Sequence, residues 1–381
     1  MKENIRVLLF TTAFRPFIGG SELAIENIAK RLPNVFFDIL TPRYSLKLPA
    51  FERLDNVHIW RIGIGNNKDK WLFPILGVFK AMKLYRRERH ALIHVYQASH
   101  AAGAALFAKF FIQNIPLILT LQEGEDFKKQ SRWKKDIRNF IIRRVDYATA
   151  ISEYLQHFAV SVNDKLAVQV IPNGVDFKLF STVIDDDKRH KLRSRLGIAP
   201  DDKVIISVSR FVKKNNIETV LKAFAEVVPR FHSKLLLVGD GPLRKELKDM
   251  TERFHISDKV IFTGSVDYSV LPTYLQCADV FVRPSLSEGL GTAFLEAMAA
   301  GLPIIGPSVG GIGDFLQDGE TGLFCVPLDY ENIASKISDI LKDDNLRSKL
   351  IHNGQELIRS KYDWNVIAEK MHTLYSATIR L

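Results

Sequence analysis

The sequence predicts an α/β protein of two doubly wound parallel-sheet units, and three features of its 381 residues predict it. Short apolar runs alternate with helical segments along the chain, the pattern of parallel strands covered by helices on both faces. The alternation occurs in two halves, separated by the turn signal Pro172-Asn173-Gly174 and the polar stretch Asp185-Asp186-Asp187-Lys188-Arg189. In the second half a strand, a glycine loop and a helix start follow one another between Val280 and Gly301, which places unpaired backbone N–H groups at the carboxyl edge of a sheet.

Taken in order, the expected strands of the first half are Val7–Phe10, Phe36–Leu40, His58–Ile62, Leu92–Tyr96, Leu117–Leu121, Tyr147–Ile151 and Val168–Ile171. Those of the second are Val204–Val208, Leu235–Val238, Val260–Thr263, Val280–Val282, Ile304–Gly306 and Leu323–Val326. The boundaries that follow are residues 1–172 for one domain, 173–361 for the other and 362–381 for a terminal helix, with a ligand cleft expected between the domains. After the first strand, Gly19-Gly20 lets the chain bend into a helix that Ser21 can cap. Ser152-Glu153 caps a later one. Gly310-Gly311-Ile312-Gly313 opens a further helix or turn.

The stretch Ser285–Gly301, SLSEGLGTAFLEAMAAG, carries the densest chemistry. Glu288 lies in the loop and Glu296 in the first turns of the helix that starts at Thr292. At 1.5 Å rise per residue Glu296 stays within roughly 6 Å of the helix start, so both acids can face one ligand. Gly289 and Gly291 tolerate φ > 0 and have no Cβ to obstruct an approaching diphosphate. Arg210, at the end of the first strand of the second half, and Lys214 can clamp phosphate oxygens, the arginine in a fork and the lysine as a point charge.

Composition narrows the classes. With 46% hydrophobic and 25% charged residues the chain reads as soluble and globular, and a formal charge of +10 favours anionic partners. Cys277 and Cys325 lack metal-ligand spacing and read as buried thiols of a reducing compartment. The longest uncharged run, Ala91–Ala108, reads as a strand and a buried helix rather than a membrane span. Arg15 and the lack of a small-residue cleavage site argue against a signal peptide. Trp71–His90 and Lys128–Arg144 mix aromatic with basic residues. The second holds eight cations (Lys128, Lys129, Arg132, Lys134, Lys135, Arg138, Arg143 and Arg144) against Asp136, with Trp133 and Phe140 between them. Such segments suit an anionic membrane surface or a solvated face, and no nucleic-acid module surrounds them.

The Glu-x7-Glu spacing within SLSEGLGTAFLEAMAAGLPII, with GGSE, PNGVD and GDGP elsewhere, resembles the retaining glycosyltransferases of family 4, which have the GT-B fold. The resemblance covers nearly the whole chain. It implies two Rossmann-like domains, a terminal helix that crosses back onto the first, a nucleotide-sugar donor, a sugar or lipid-linked acceptor, and no metal or other cofactor. It implies that Glu288 contacts the donor sugar, that Glu296 binds ribose hydroxyls, and that the backbone of Gly289, Leu290, Gly291 and Thr292 holds the diphosphate. Arg210 and Lys214 would stabilise the leaving charge, the backbone at Gly264 would read the base, and Gly19 and Gly20 would form the phosphate-side loop of the first domain. A cytoplasmic location, on or near the membrane face, accords with this.

Two positions depart from the family pattern. Asn215-Asn216 stands where the pattern has Lys-Gly, which puts Lys214 one residue early. Many relatives have a sugar-side histidine where this chain reads Thr120-Leu121-Gln122-Glu123-Gly124-Glu125-Asp126. Gln122 takes that place, and His100 or His94 could substitute. Two other classes are open to the sequence: a nucleotide-sugar-binding protein without catalysis, and a dinucleotide oxidoreductase. The latter is disfavoured because the first strand lacks G-x-G-x-x-G.

Overall fold

A computed structural model describes residues 5–17, 19–124 and 130–379, and the chain divides into two compact units, residues 1–173 with 364–381, and residues 174–363. Among the described residues the first unit holds one eight-stranded sheet: β1 (Ile5–Phe10), β2 (Val35–Pro42), β3 (Phe51–Leu54), β4 (Val57–Ile62), β5 (Leu92–Tyr96), β6 (Leu117–Leu121), β7 (Tyr147–Ala150) and β8 (Ala167–Val170). Their spatial order is β3-β4-β2-β1-β5-β6-β7-β8. All pairs are parallel except β3 with β4. β5 and β6 are buried at every position, as strands covered on both faces must be. The edge strand β3 was not among the expected strands: FERL is four residues long and half charged, too short for alternation to register, and it is held by Phe51 stacking on Trp60 at 4.2 Å.

The helices of this unit are α1 (Gly20–Arg31), α2 (Asp69–Glu88), α3 (His100–Phe111), α4 (Arg132–Ile142), α5 (Glu153–Val162) and, from the chain's end, Trp364–Ile379. The sheet grows from β1 in one direction through α1 and in the other through α3, α4 and α5, and right-handed crossovers send the two sets to opposite faces. α1 and the terminal helix share one core with Val7, Leu9, Phe37 and Ile39, to which the helix contributes Trp364, Ile367, Met371 and Tyr375. α2, α3, α4 and α5 lie side by side as the other layer.

His94 sits at the centre of the first unit. Its Nδ1 meets the Tyr375 hydroxyl at 2.7 Å and its Nε2 meets Thr120 Oγ1 at 2.7 Å, with Thr149 Oγ1 2.6 Å further on. Burial pushes the imidazole down to about 3, so it stays neutral. Both ring nitrogens are occupied, so His94 is a structural residue and not the substitute sugar-side histidine the sequence left open.

The second unit holds a wholly parallel six-stranded sheet in the order β11-β10-β9-β12-β13-β14: β9 (Lys203–Val208), β10 (Ser233–Val238), β11 (Val260–Gly264), β12 (Val280–Val282), β13 (Ile304–Gly306) and β14 (Leu323–Phe324). Its helices are α6 (Phe177–Ser181), α7 (Asp186–Arg195), α8 (Ile217–Val227), α9 (Arg244–Arg253), α10 (Leu271–Leu275), α11 (Thr292–Ala299), α12 (Tyr330–Lys342) and α13 (Asp344–Leu357), which makes the terminal helix α14. α8, α9 and α12 bury Phe224, Leu247 and Ile337 against Ile205, Leu235 and Val282 of the sheet. Each strand expected in the two halves is present, with its ends moved by a residue or two. The Gly310 segment is a 3-10 turn, Gly310–Asp314, rather than a helix start. Among the described residues no helix is long and apolar enough to cross a membrane.

Replacing Tyr375 by Phe removes the hydroxyl that His94 Nδ1 faces and leaves a buried nitrogen unpaired. A loss of about 1–3 kcal/mol in stability is expected. Urea denaturation of Tyr375→Phe beside the wild type measures it, and an unchanged midpoint would contradict this account of the core.

Candidate active site

In an open parallel sheet, ligands gather outside the carboxyl ends of the strands at the point where the strand order reverses. In the second unit that point lies between β9 and β12. Arg210 follows the first of these strands and Glu288 the second. The loops there are tied to one another. Leu286 N donates to the Lys214 carbonyl at 2.7 Å, and Asn216 Nδ2 donates to the carbonyls of Pro284 at 3.1 Å and Pro327 at 2.6 Å. Phe211 N donates to the Asp240 carbonyl at 2.9 Å, and Gly239 N to that of Gly264 at 2.9 Å. Gly310, at φ +55°, lies so near the Glu288 backbone that an added Cβ would stand 1.8 Å from its carbonyl oxygen. The six strand ends therefore form one surface.

On that surface the two acids are buried, each 7% exposed, and a residue that the sequence reading passed over organises them. Arg283, directly after β12, pairs through Nη2 with Glu288 Oε1, and Ser285 Oγ donates to the same oxygen at 3.0 Å. Among the described residues Glu288 Oε2 takes no donor, and neither does the Glu296 carboxyl. Burial pushes Glu296 up to about 8, with the Arg283 charge pulling the other way, so its carboxyl holds a proton near neutral pH. Gly291 takes the left-handed φ of +91° that starts α11, and the amides of Thr292 and Ala293 have no carbonyl ahead of them in the helix. Gly289 and Leu290 are buried, and Thr292 is half-exposed.

Arg210 is exposed, and among the described residues its guanidinium has no partner. Its backbone is fixed: the carbonyl accepts from Val212 N at 2.9 Å and from Asn215 Nδ2 at 2.6 Å. Lys214 is exposed on the 3-10 turn Lys213–Asn215, while Asn215 is buried with Oδ1 unpaired. Asn216 takes φ +55°, a conformation asparagine tolerates better than most residues, so it serves the turn that a glycine serves in the family pattern. Gly264 lies at the end of β11, and Asp240 is paired with Arg244 at 2.7 Å.

A second set lies in the first unit, where the strand order reverses between β1 and β5. Gly19 is the N-cap of α1, and its carbonyl accepts from Leu23 N at 3.0 Å. Gly20 opens the helix. Ser21 does not cap it: its hydroxyl accepts from Gln97 Nε2 at 3.1 Å, because Gln97 reaches over from the end of β5. Gln122 and Asn173 form a reciprocal amide pair at 3.1 and 3.3 Å, so Gln122 is held by its neighbour. His100 starts α3 with Nε2 buried and unpaired, and burial beside Lys70 pushes it down, which keeps it neutral. Glu123, quoted in the sequence without a role, accepts from the backbone N–H of Ala98 and Gln122, both at 2.9 Å, and so fixes the β6 loop. Ile18, Glu125 and Asp126, together with Lys128 and Lys129 of the basic stretch, lie outside the described residues.

Two family models match the chain. Residues 188–357 match the glycosyl transferases group 1, and residues 18–179 match glycosyltransferase family 4. N-acetyl-alpha-D-glucosaminyl L-malate synthase of Bacillus anthracis is 28% identical over 375 residues, covering 96% of each chain. GDP-mannose-dependent monoacylated alpha-(1-6)-phosphatidylinositol monomannoside mannosyltransferase of Corynebacterium glutamicum is 28% identical over 395 residues, covering all of both chains. Among solved structures, Anabaena HepE in complex with UDP-glucose superposes with a TM-score of 0.81 at 20% identity, covering 98% of this chain and all of that one. The fold is that of the GT-B enzymes. The chain belongs to the group 1 glycosyltransferases and is a glycosyltransferase.

The raised Glu296 carboxyl makes stability depend on pH. Its ordinary value of 4.5 applies to the unfolded chain and about 8 to the folded one, so the folded state holds the extra proton between them. That contribution is complete below pH 4.5 and is lost as pH rises through about 8. Glu296→Gln, which cannot ionise, should therefore melt higher than the wild type at pH 9, and the gap should close at pH 4. Melting curves at both pH values check this.

Proposed function

We propose that the enzyme transfers a hexose, with retention of anomeric configuration, from a nucleoside-diphosphate donor held by the second unit to a lipid-linked acceptor taken up by the first. The observation that carries the donor half is the convergence of Glu288, Glu296, Arg210 and the α11 N-terminus at the reversal between β9 and β12. A nucleoside-diphosphate sugar has a ribose diol, two phosphates and a sugar ring. The site has a buried carboxyl at Glu296, unpaired amides with a guanidinium, and a free carboxylate oxygen on Glu288. UDP-glucose in the Anabaena neighbour and GDP-mannose in the Corynebacterium relative's name make UDP- and GDP-hexoses the donors to try.

When the bond between the sugar carbon and the diphosphate oxygen breaks, negative charge grows on the phosphate and positive charge on the ring. Arg210, Lys214 and the amides of Thr292 and Ala293 meet the first, at a helix end whose dipole favours anions. Glu288 Oε2 meets the second. No metal is assigned a part in this reading. Glu288→Gln should lower kcat with little change in donor KM, because its role grows with ring charge. Arg210→Ala should raise KM and lower kcat, a combined loss of about 3–5 kcal/mol in kcat/KM, because phosphate charge exists before and during bond breaking. Steady-state kinetics with the nucleotide hexose that most raises the melting temperature separates the two. Full kcat in Glu288→Gln would move the chemistry elsewhere, to the neighbourhood of His100 and Gln122.

The acceptor half rests on the α2–α3–α4 layer. Trp71, Ile75 and Phe79 form an exposed stripe on α2, Phe107, Phe110 and Phe111 one on α3, and Trp133, Ile137 and Phe140 one on α4, with Phe110 74% and Trp71 67% exposed. Lys70, Lys83, Arg86, Arg87, Arg132, Lys134, Arg143 and Arg144 are exposed around them. Arg138, counted among the basic stretch, faces inward instead and lies over the Phe158 ring at 4.6 Å. Apolar side chains ringed by cations fit the boundary of an anionic bilayer, where lipid-linked acceptors reside. Flotation with phosphatidylglycerol vesicles should show binding that weakens with salt and on Phe110→Ser/Trp133→Ser. Absence of binding would favour a soluble polysaccharide acceptor.

A further inference from the structure

Arg283 is the charged group of the second unit whose surroundings the family pattern does not account for. It is 8% exposed. Its Nε donates to Ser285 Oγ at 3.0 Å, its Nη1 to the Val208 carbonyl at 3.4 Å, and its Nη2 pairs with Glu288 Oε1. The guanidinium also faces the Phe294 ring at 5.7 Å. It is thus anchored to β9 through Val208, to its own loop through Ser285 and to α11 through Phe294. Each of its three nitrogens has a partner in the protein.

That arrangement has two consequences for Glu288. Oε1 accepts from both Arg283 and Ser285, which fixes the carboxylate plane, whereas Oε2 takes no donor among the described residues and stays available. The charge of Arg283 also pulls on the Glu296 carboxyl, which nevertheless keeps its proton near neutral pH, so Glu288 is the one ionised acid that faces the buried cation. A surface ion pair would do neither.

We propose that Arg283 is the positioning residue of this active site: it holds Glu288 by Oε1 so that Oε2 is presented to the sugar of the donor. The inference rests on the reading that Glu288 faces the donor sugar. It concerns a residue whose three guanidinium nitrogens all have protein partners, so its effect passes through Glu288.

A double-mutant cycle tests this. The donor is whichever hexose of a UDP- and GDP-hexose panel most raises the wild-type melting temperature, and the readout is its hydrolysis. Arg283→Met should lower kcat by about tenfold to a hundredfold, the scale of a charge-assisted hydrogen bond, while donor KM stays within about threefold. Arg283→Lys keeps the charge and loses the fork, and should recover most of the loss. In a Glu288→Gln background, either substitution should add little. If Arg283→Met does not fold, the cycle with Arg283→Lys gives the same reading, with a smaller loss in the wild type and none beside Glu288→Gln. Equal losses in both backgrounds, or a change in melting temperature alone, would overturn the positioning role while leaving Glu288 in place. Full kcat in Glu288→Gln by itself would overturn the reading beneath it.

Discussion

A parallel sheet delivers the ends of all its strands to one edge, and the rest of this molecule depends on that constraint. Strands in such a sheet are buried on both faces, so their sequences are committed to packing and have little room for chemistry. What remains is the carboxyl edge. At the reversal between β9 and β12 two neighbouring loops diverge to opposite faces and leave a place that neither fills. Arg210 and Glu288 stand there because the chain leaves the sheet there. The same holds in the first unit for Gly19, Gly20 and His100 around β1 and β5.

Placing two carboxyls at such an edge has a cost that the local structure must offset. Glu288 is buried in an ion pair and Glu296 is buried without one, and the difference shows in the proton that Glu296 keeps to about 8. A buried carboxyl that stays neutral is less costly than an unpaired carboxylate, and it becomes a better acceptor when a ligand brings donors to it. The loops around the acids leave them little freedom. Gly310 lies against the Glu288 backbone, Leu286 is bonded to Lys214, and Asn216 clamps Pro284 and Pro327. Side chains that meet a ligand with defined geometry need such support from neighbours that do not touch it.

The first unit divides its two helical layers between different tasks. The face under α1 and α14 is a closed core, with Tyr375 reaching the buried His94. The α2–α3–α4 layer buries Phe73, Ala104 and Ile141 inward and leaves aromatic residues outward. Exposed residues of that size on three adjacent helices exceed what a solvated surface ordinarily carries, and patches of this kind mark interaction sites.

The strands, the two-unit division of the fold and the glycosyltransferase identity were legible because each is written in local sequence: apolar runs of strand length, and a motif in which Glu288, Gly291 and Glu296 are only a few residues apart. The turn at Asn216 was legible only as a departure from pattern, and its φ of +55° explains why asparagine serves there. Other features were decided by contacts between segments distant in the chain. Ser21 binds Gln97 rather than capping α1, His94 is satisfied by Tyr375 from the far end of the chain, Arg138 turns inward, and β3 exists because β4 offers it an edge. Arg283 is the plainest case. In sequence it is an arginine after a strand, two residues before Ser285, and nothing local distinguishes it from a solvated one. Only folding brings Val208, Glu288 and Phe294 around its guanidinium, because hydrogen bonds and charge act through space while periodicity and spacing record only what lies along the chain.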